Sequence, residues 1–336
     1  METFVEFKHL DEDDPFPEEG GTLPLGAPNA FHPSLQRIAS NFVRQQDHQF
    51  RTSMFAVGIF GKVARLFRCD RSGCQVTRGI DYSTEEGNRQ LTEFFLRLDR
   101  MADDPEARGW DITVCDATEE EAENFSEAVQ ATLEGTLESG RMVTRGQKKV
   151  TGEMGARLHF RKLVEGAGDH SQYPRKKVSV LDGEVSRDYI VGGPISSSKA
   201  LFGRTTRGFV AMSVDTKKLV FLKETWRFDV ASLPPEDHWY KRLLSAKSRG
   251  GMKHIGAFSH GSDVYAKKQF IRCPDKKQRT LTHLYIKEIS QKETVGLIHY
   301  RMVQPELYIP LSTFRDSKHL TSIMLDIAQG PSSGFI

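Results

Sequence analysis

Five stretches of the chain repeat their apolar side chains every three or four residues, the spacing that puts them on one face of a helix. "PSLQRIASNFVRQQDHQF" carries Leu35, Ile38, Phe42 and Val43 in this way, with Ser34 placed to cap it. "QLTEFFLRLDRM" aligns Leu91, Phe94, Phe95 and Leu98; "TEEEAENFSEAVQATLEG" is an acidic helix that Thr118 caps and whose first-turn glutamates favour its dipole. "PPEDHWYKRLLSAK" and "SKHLTSIMLDIAQ", the latter with Leu320, Ile323, Met324 and Ile327 on one face, complete the set. Between them the texture is β-branched and aromatic. "MFAVGIFGKVARLFRCDRSGCQVTRGIDY", broken by "FGK" and "DRSG", predicts a three-stranded antiparallel meander. Further strands are expected at "VSVLDG", "SRDYIVGG", "TRGFVAMSV", "KKLVFLKETWRF", "MKHIGAFSH", "QRTLTHLYIKEI" and "GLIHYRMV".

These elements predict an α+β chain in four parts. Residues 1–30, acidic and then rich in Pro and Gly, are expected to be disordered. Residues 31–140 form an α+β region of helices and the meander, 141–175 a Gly-rich basic linker, and 176–336 an antiparallel sheet with one helix and a closing helix. A length of 336 residues suits roughly two cores. No apolar run approaches the ~20 residues that span a bilayer, and the acidic N-terminus is unlike a secretory signal, so an intracellular, cytoplasmic or nuclear protein is expected.

Charge changes this picture. Residues 1–140 hold 13 Lys/Arg against 27 Asp/Glu, and residues 141–336 hold 34 against 18, so a net of −14 faces a net of +16 within a total of +2. The halves attract each other, or the second attracts an anion such as a nucleotide or an acidic protein partner. Nucleic acid is disfavoured: it would need the basic runs on one face with interleaved aromatics, which only "YAKKQFIR" suggests, and such runs are most often solvated faces or turns. The four cysteines, Cys69, Cys74, Cys115 and Cys273, offer no CxxC pair and no zinc spacing. Cys69 and Cys74 flank a turn and could face each other, but in a reducing compartment four free thiols are expected, and no metal.

The stretch "VFLKETWRF" raises a sharper question, because it runs three apolar residues into Lys223. A lysine at the inner end of a strand either reaches water or meets an anion, since burying it alone is costly. Trp226 and Phe228 are expected in the core. Downstream, the helix "PPEDHWYKRLL" opens with Glu236 and Asp237, either of which could reach the lysine or simply favour the helix dipole.

The order of elements around Lys223 is that of the nucleotide-binding lobe of a protein kinase. "LFGRTTRGFVAM", "LVFLKETWR", "HYRMV" and "PLSTFRDSKHLTSIMLDIA" resemble the fungal-type protein kinase family, with its G-R-x-T-R-G, V-F-L-K-[DE]-x-W-R, H-x-R-[LM]-V and P-L-x-x-F-[KR]-x-S-K-x-L motifs. "ARLFRCDRSGCQVTRGIDY" is similar to the hairpin preceding the kinase lobe in that family, so the likeness covers most of residues 35–329. It implies a kinase-like small lobe over 176–336 in which Lys223 meets the phosphates of ATP and Glu236, with Asp237 as rival, holds the lysine. Gly203 and Arg204 would lie in the loop over the phosphates, and Gln304 and Glu306 in the hinge beside the adenine.

The chain departs from the family's pattern in three ways. Gly203 and Gly208 stand as G-x-x-x-x-G, and Pro305 removes a hinge donor. Neither H-R-D-x-x-x-x-N nor D-F-G occurs, so no catalytic residue is assigned and the catalytic lobe is expected to be missing. The resemblance therefore implies weak or lost ATP binding and no phosphotransfer as given, with Mg²⁺ and Ser/Thr kinase activity only in a longer form. The alternative is a basic interaction module binding an acidic partner or nucleic acid. The apolar face of the last helix, lacking a second lobe, is expected to be exposed and to drive self-association.

Overall fold

A computed structural model describes residues 3–16, 32–138, 153–169, 171, 173–248, 256–267, 275–290, 294–314 and 316–329. Its first sheet contains the expected meander. β1 (Thr3–Lys8) runs parallel to β2 (Ser53–Phe60), after the helix α1 (Pro33–His48); β3 (Val63–Asp70) and β4 (Gly73–Val76) follow antiparallel, and the short β5 (Ile80–Asp81) pairs with the start of β3. α1 covers one face with Ile38 and Phe42 against Phe4, Met54, Ala56, Phe60 and Phe67. α2 (Glu85–Arg100) covers the other, Leu91 and Phe94 meeting Val57, Ile59, Ala64 and Ile80. Coverage on both faces is why β2 is apolar almost without alternation. The cap of α1 is His32, whose Nδ1 accepts from Ser34 N–H at 3.3 Å, with Pro33 in the first turn, and not Ser34.

Part of the segment expected to be disordered is ordered. β1 buries Phe4, and Asp14 accepts from the Arg65 guanidinium at 2.7 and 2.8 Å while Asp11 accepts from Lys62 N–H at 2.7 Å. The disorder expectation rested on an acidic composition with few apolar side chains; burial of Phe4 and the partners of Asp11 and Asp14 offset both. Residues 17–30 lie outside the described residues.

The second sheet is built from β6 (Val114–Asp116), β7 (Lys176–Asp182), β8 (Val185–Val191), β9 (Ser196–Ser197), β10 (Arg207–Ser213), β11 (Leu219–Phe228), β12 (His260–Asp263) and β13 (Leu297–Gln304). The helices α3 (Glu119–Glu138), α4 (Glu153–Gly168), α5 (Glu236–Ser248), α6 (Thr282–Ser290) and α7 (Ser317–Gln329) accompany it. Its order is β12-β13-β11-β10-β8-β7-β6, antiparallel throughout, with β9 paired to β10. β12 returns to lie against β7, so the sheet curls around an inner core of Val178, Val191, Phe209, Val220, Leu222 and Val303 that also takes in Phe50. On the outer face α3 and α4 pack Phe125, Val129 and Val164 over Ile190 and Met212. The capping box expected at Thr118 is present: its N–H donates to Glu121 at 2.9 Å and its hydroxyl accepts from Glu121 N–H at 3.2 Å.

Four expectations need correction. The linker drawn over 141–175 contains α4, whose Val164 and Ala167 are fully buried; residues 139–152 lie outside the described residues. β6 and α3, drawn with the first region, belong to the second sheet. "QRTLTHLYIKEI" is not a strand, because Asp70 caps α6 there by accepting from Leu281 and Thr282 N–H, each at 2.8 Å, a partner 211 and 212 positions away that local propensity cannot register. Cys69 and Cys74 are joined by a disulfide rather than free: they stand directly opposite across β3 and β4 with Cα atoms 4.1 Å apart, the close spacing of a non-hydrogen-bonded pair. Cys115 is an exposed free thiol, and Cys273 lies outside the described residues.

Trp226 is buried as expected but Phe228 is exposed. Of "MKHIGAFSH" only His260 enters a strand, residues 251–255 lying outside the described residues. No described side chain of α7 is buried, and Met324 and Leu325 are exposed. No helix among the described residues is long and apolar enough to cross a membrane.

Candidate functional site

Strand alternation sends Val220, Leu222, Glu224 and Trp226 of β11 inward and Phe221, Lys223 and Thr225 outward. α5 lies over that outer face on three polar contacts. Lys223 Nζ donates to Glu236 Oε2 at 2.6 Å. The Tyr300 hydroxyl, one strand over, accepts from Asp237 N–H at 2.9 Å and donates to Asp237 Oδ1 at 3.2 Å. Gln304 Nε2 donates to the Tyr240 hydroxyl at 3.0 Å. Asp237 Oδ2 takes Lys241 at 2.7 Å, so the lysine of β11 meets Glu236 and not its rival. The side chains of Lys223 and Glu236 are 22% and 30% exposed, so solvent can reach both. A pair this open contributes little to stability, on the order of 0.2–1 kcal/mol.

Of the other sequence-predicted residues, Gln304 and Arg204 lie beside β11. Gln304 is opposite Phe221, two residues to one side of Lys223. Arg204 is two residues to the other side: its carbonyl accepts from Trp226 N–H at 2.9 Å and from the Thr225 hydroxyl at 3.1 Å. Gly203 has φ +91°, in the region glycine favours, and its N–H donates to Arg71 O at 2.8 Å. The Arg204 side chain is exposed. Glu306 is exposed beyond the end of β13, where its carboxylate accepts from the Tyr308 hydroxyl at 2.7 Å and touches neither Lys223 nor Glu236.

On the inner face lies a charged group that sequence reasoning missed. Arg301 donates to Glu224 Oε1 at 3.0 and 3.2 Å, to the Thr113 hydroxyl at 2.6 Å, to Ser179 O at 3.2 Å and to Asp111. Arg207 donates to Glu224 Oε2 at 2.7 Å and to Gln46 O at 3.1 Å. His299 stacks on Trp226 with centroids 4.6 Å apart and places its ring nitrogens 3.0 Å from Glu224 and 2.7 Å from Gln278. Burial pushes the Glu224 carboxyl up, but Arg207, His299 and Arg301 overcome it and hold it well below the usual carboxylate range; Asp111 is held low against burial chiefly by Arg301. Burial pushes the His299 imidazole down against the pull of Glu224. Asp111, Glu224 and His299 have the ligand types of a metal centre within 4.8 Å of one another, but a guanidinium already bonds both carboxylates and a second bonds one of them. The two acids are balanced by two fixed cations, so a divalent ion would meet like charge.

The signal for this group was present in the alternation. Glu224 shares parity with Leu222, and Arg301 with Val303, so each should face the core. Part of the charge asymmetry between the halves is spent inside the chain too: Lys176 pairs with Asp116, Lys177 with Glu121, and Arg301 with Asp111.

Compared with family models, curated proteins and solved structures, the chain shows no significant match.

Proposed function

We propose that β8, β10, β11, β13, β12 and α5 form a phosphate-binding unit of the kinase small-lobe type, in which Lys223 offers its ammonium to the phosphates of ATP and Glu236 holds the lysine. The observation that carries this reading is the 2.6 Å contact between Lys223 on the middle of five antiparallel strands and Glu236 on the helix that follows in the chain. Protein kinases place a lysine on the third strand and pair it with a helix glutamate in this way. The positions of Gly203 and Arg204 on one side of Lys223 and Gln304 on the other support the same reading, because a nucleotide lying along β11 would pass all three.

The 336 residues contain no H-R-D-x-x-x-x-N or D-F-G motif. Without such acid and amide groups to hold Mg²⁺ between the phosphates, most of the ligand's charge stays uncompensated, so these 336 residues by themselves bind ATP weakly and transfer no phosphoryl group. Thermal unfolding with ATP, with and without Mg²⁺, is the test. ATP raises the midpoint of the parent chain without needing Mg²⁺, and Lys223→Ala abolishes the rise. An equal rise in the variant overturns the assignment of Lys223.

A further inference from the structure

We propose that Cys69 and Cys74 are a redox-operated lock on the loop leading into β10, acting through the four-residue turn that they enclose. This inference is independent of the phosphate-binding reading. The turn, Asp70 to Gly73, grips two distant segments at once. Asp70, 2% exposed, accepts from Leu281 and Thr282 N–H, and the Ser72 hydroxyl, which donates to Asp70 Oδ1 at 2.7 Å, accepts from His283 N–H at 3.1 Å. The Arg71 carbonyl accepts from Gly203 N–H at 2.8 Å. The Arg71 guanidinium donates to Gln46 Oε1; Gln46 in turn donates to Leu201 O at 3.4 Å and accepts from Arg207 at 3.1 Å. Leu201, Gly203 and Arg207 are thus all tied to this turn or to its neighbour on α1, and Gly208, next in the chain, stands opposite Lys223.

The backbone support for the turn is slight. β4 is four residues long and lies at the end of its sheet, so with the sulfurs unbonded the turn is held only by a short edge ladder and by the hydrogen bonds it makes to residues 281–283, Gly203 and Gln46. The covalent bond removes most of the opened conformations of the six-residue segment, a restriction on the order of tenfold or more. Opening it takes a dithiol reductant. One thiolate of the reductant attacks the Cys74 sulfur, which is half-buried where Cys69 is 1% exposed, and expels Cys69 as a thiolate that takes up a proton. The second thiolate of the reductant then displaces Cys74, which is protonated in turn. Two electrons and two protons pass to the protein, and the reductant leaves as its own disulfide.

Hydrogen exchange read by mass spectrometry on the whole chain tests this, with dithiothreitol as the reductant and its oxidised form as the reverse reagent. The expected result is about tenfold faster exchange at Gly203, Leu281, Thr282 and His283 in the dithiol form. Amides of β11 and β13 keep their rates, and re-oxidation restores the slow ones. The variant Cys69→Ser/Cys74→Ser shows the fast pattern with or without reductant; should it fail to fold, the reversible cycle of the parent chain decides. Equal rates in the two forms, a uniform acceleration across the chain, or an intact mass that gains no hydrogens on reduction overturns the proposal.

Discussion

Replacing Arg301 with methionine removes the cation at the centre of the inner-face group while keeping most of its volume. In the parent chain its guanidinium makes five hydrogen bonds and is 0% exposed, so no water stands ready to take its place. The variant leaves the Asp111 and Glu224 carboxylates facing each other with only Arg207 to balance them, and leaves the Thr113 hydroxyl and Ser179 carbonyl short of a partner. Removing one member of such a buried ionic set costs about 3–5 kcal/mol. The midpoint of urea unfolding, followed by the fluorescence of the three tryptophans, one of which is Trp226 stacked on His299, reads this loss. pH separates charge from packing. In the variant the undercompensated group of Asp111, Glu224 and His299 takes up a proton more readily than in the parent, so part of the deficit measured at pH 8 disappears at pH 5. A deficit below about 1 kcal/mol, or one of the same size at both pH values, refutes the reasoning.

Four further outcomes are expected. Lys223→Ala and Glu236→Gln leave the unfolding midpoint within about 1 kcal/mol of the parent, because the pair is partly solvated, while both weaken ATP binding in an equilibrium dialysis assay. Asp70→Ala removes the cap of α6 and costs about 1–2 kcal/mol by the same urea measurement, with faster hydrogen exchange at Leu281 and Thr282. Burial holds the His260, His283 and His299 imidazoles below their ordinary value of about 6.5, so below that pH the unfolded chain binds more protons and stability falls; Asp111 and Glu224, held low by their guanidinium neighbours against burial, add a further loss below about pH 4. A pH series of unfolding midpoints that is flat from 7 to 5 contradicts this. Exposed Met324 and Leu325 on α7 are expected to drive self-association, so sedimentation velocity should show a concentration-dependent mass that Met324→Lys/Leu325→Lys abolishes.

How far the fold could be read in advance differs from element to element. The meander, β11 and the acidic helix with its capping box were legible because each depends on residues within a few positions: turn glycines, alternation, and Thr118 with Glu121. Lys223 was legible as a residue out of keeping with the apolar run before it, and Glu236 as an acid at a helix start, but only packing selects Glu236 over Asp237. Asp237 is occupied by Tyr300 and Lys241, which leaves Glu236 to the strand lysine.

By itself, the order of residues determined the α+β composition, the meander and the principal strands of the second sheet, because these follow from local sterics and short-range periodicity. Tertiary structure decided the rest. Whether an acidic N-terminal stretch folds, whether residues 282–290 are helix or strand, and whether Glu224 and Arg301 are tolerated in a core all depend on partners brought from far along the chain: Arg65 for Asp14, Asp70 for α6, and Asp111 for Arg301. A buried charge or an uncapped helix end is costly alone and stable when paired, and only the folded chain supplies the pair.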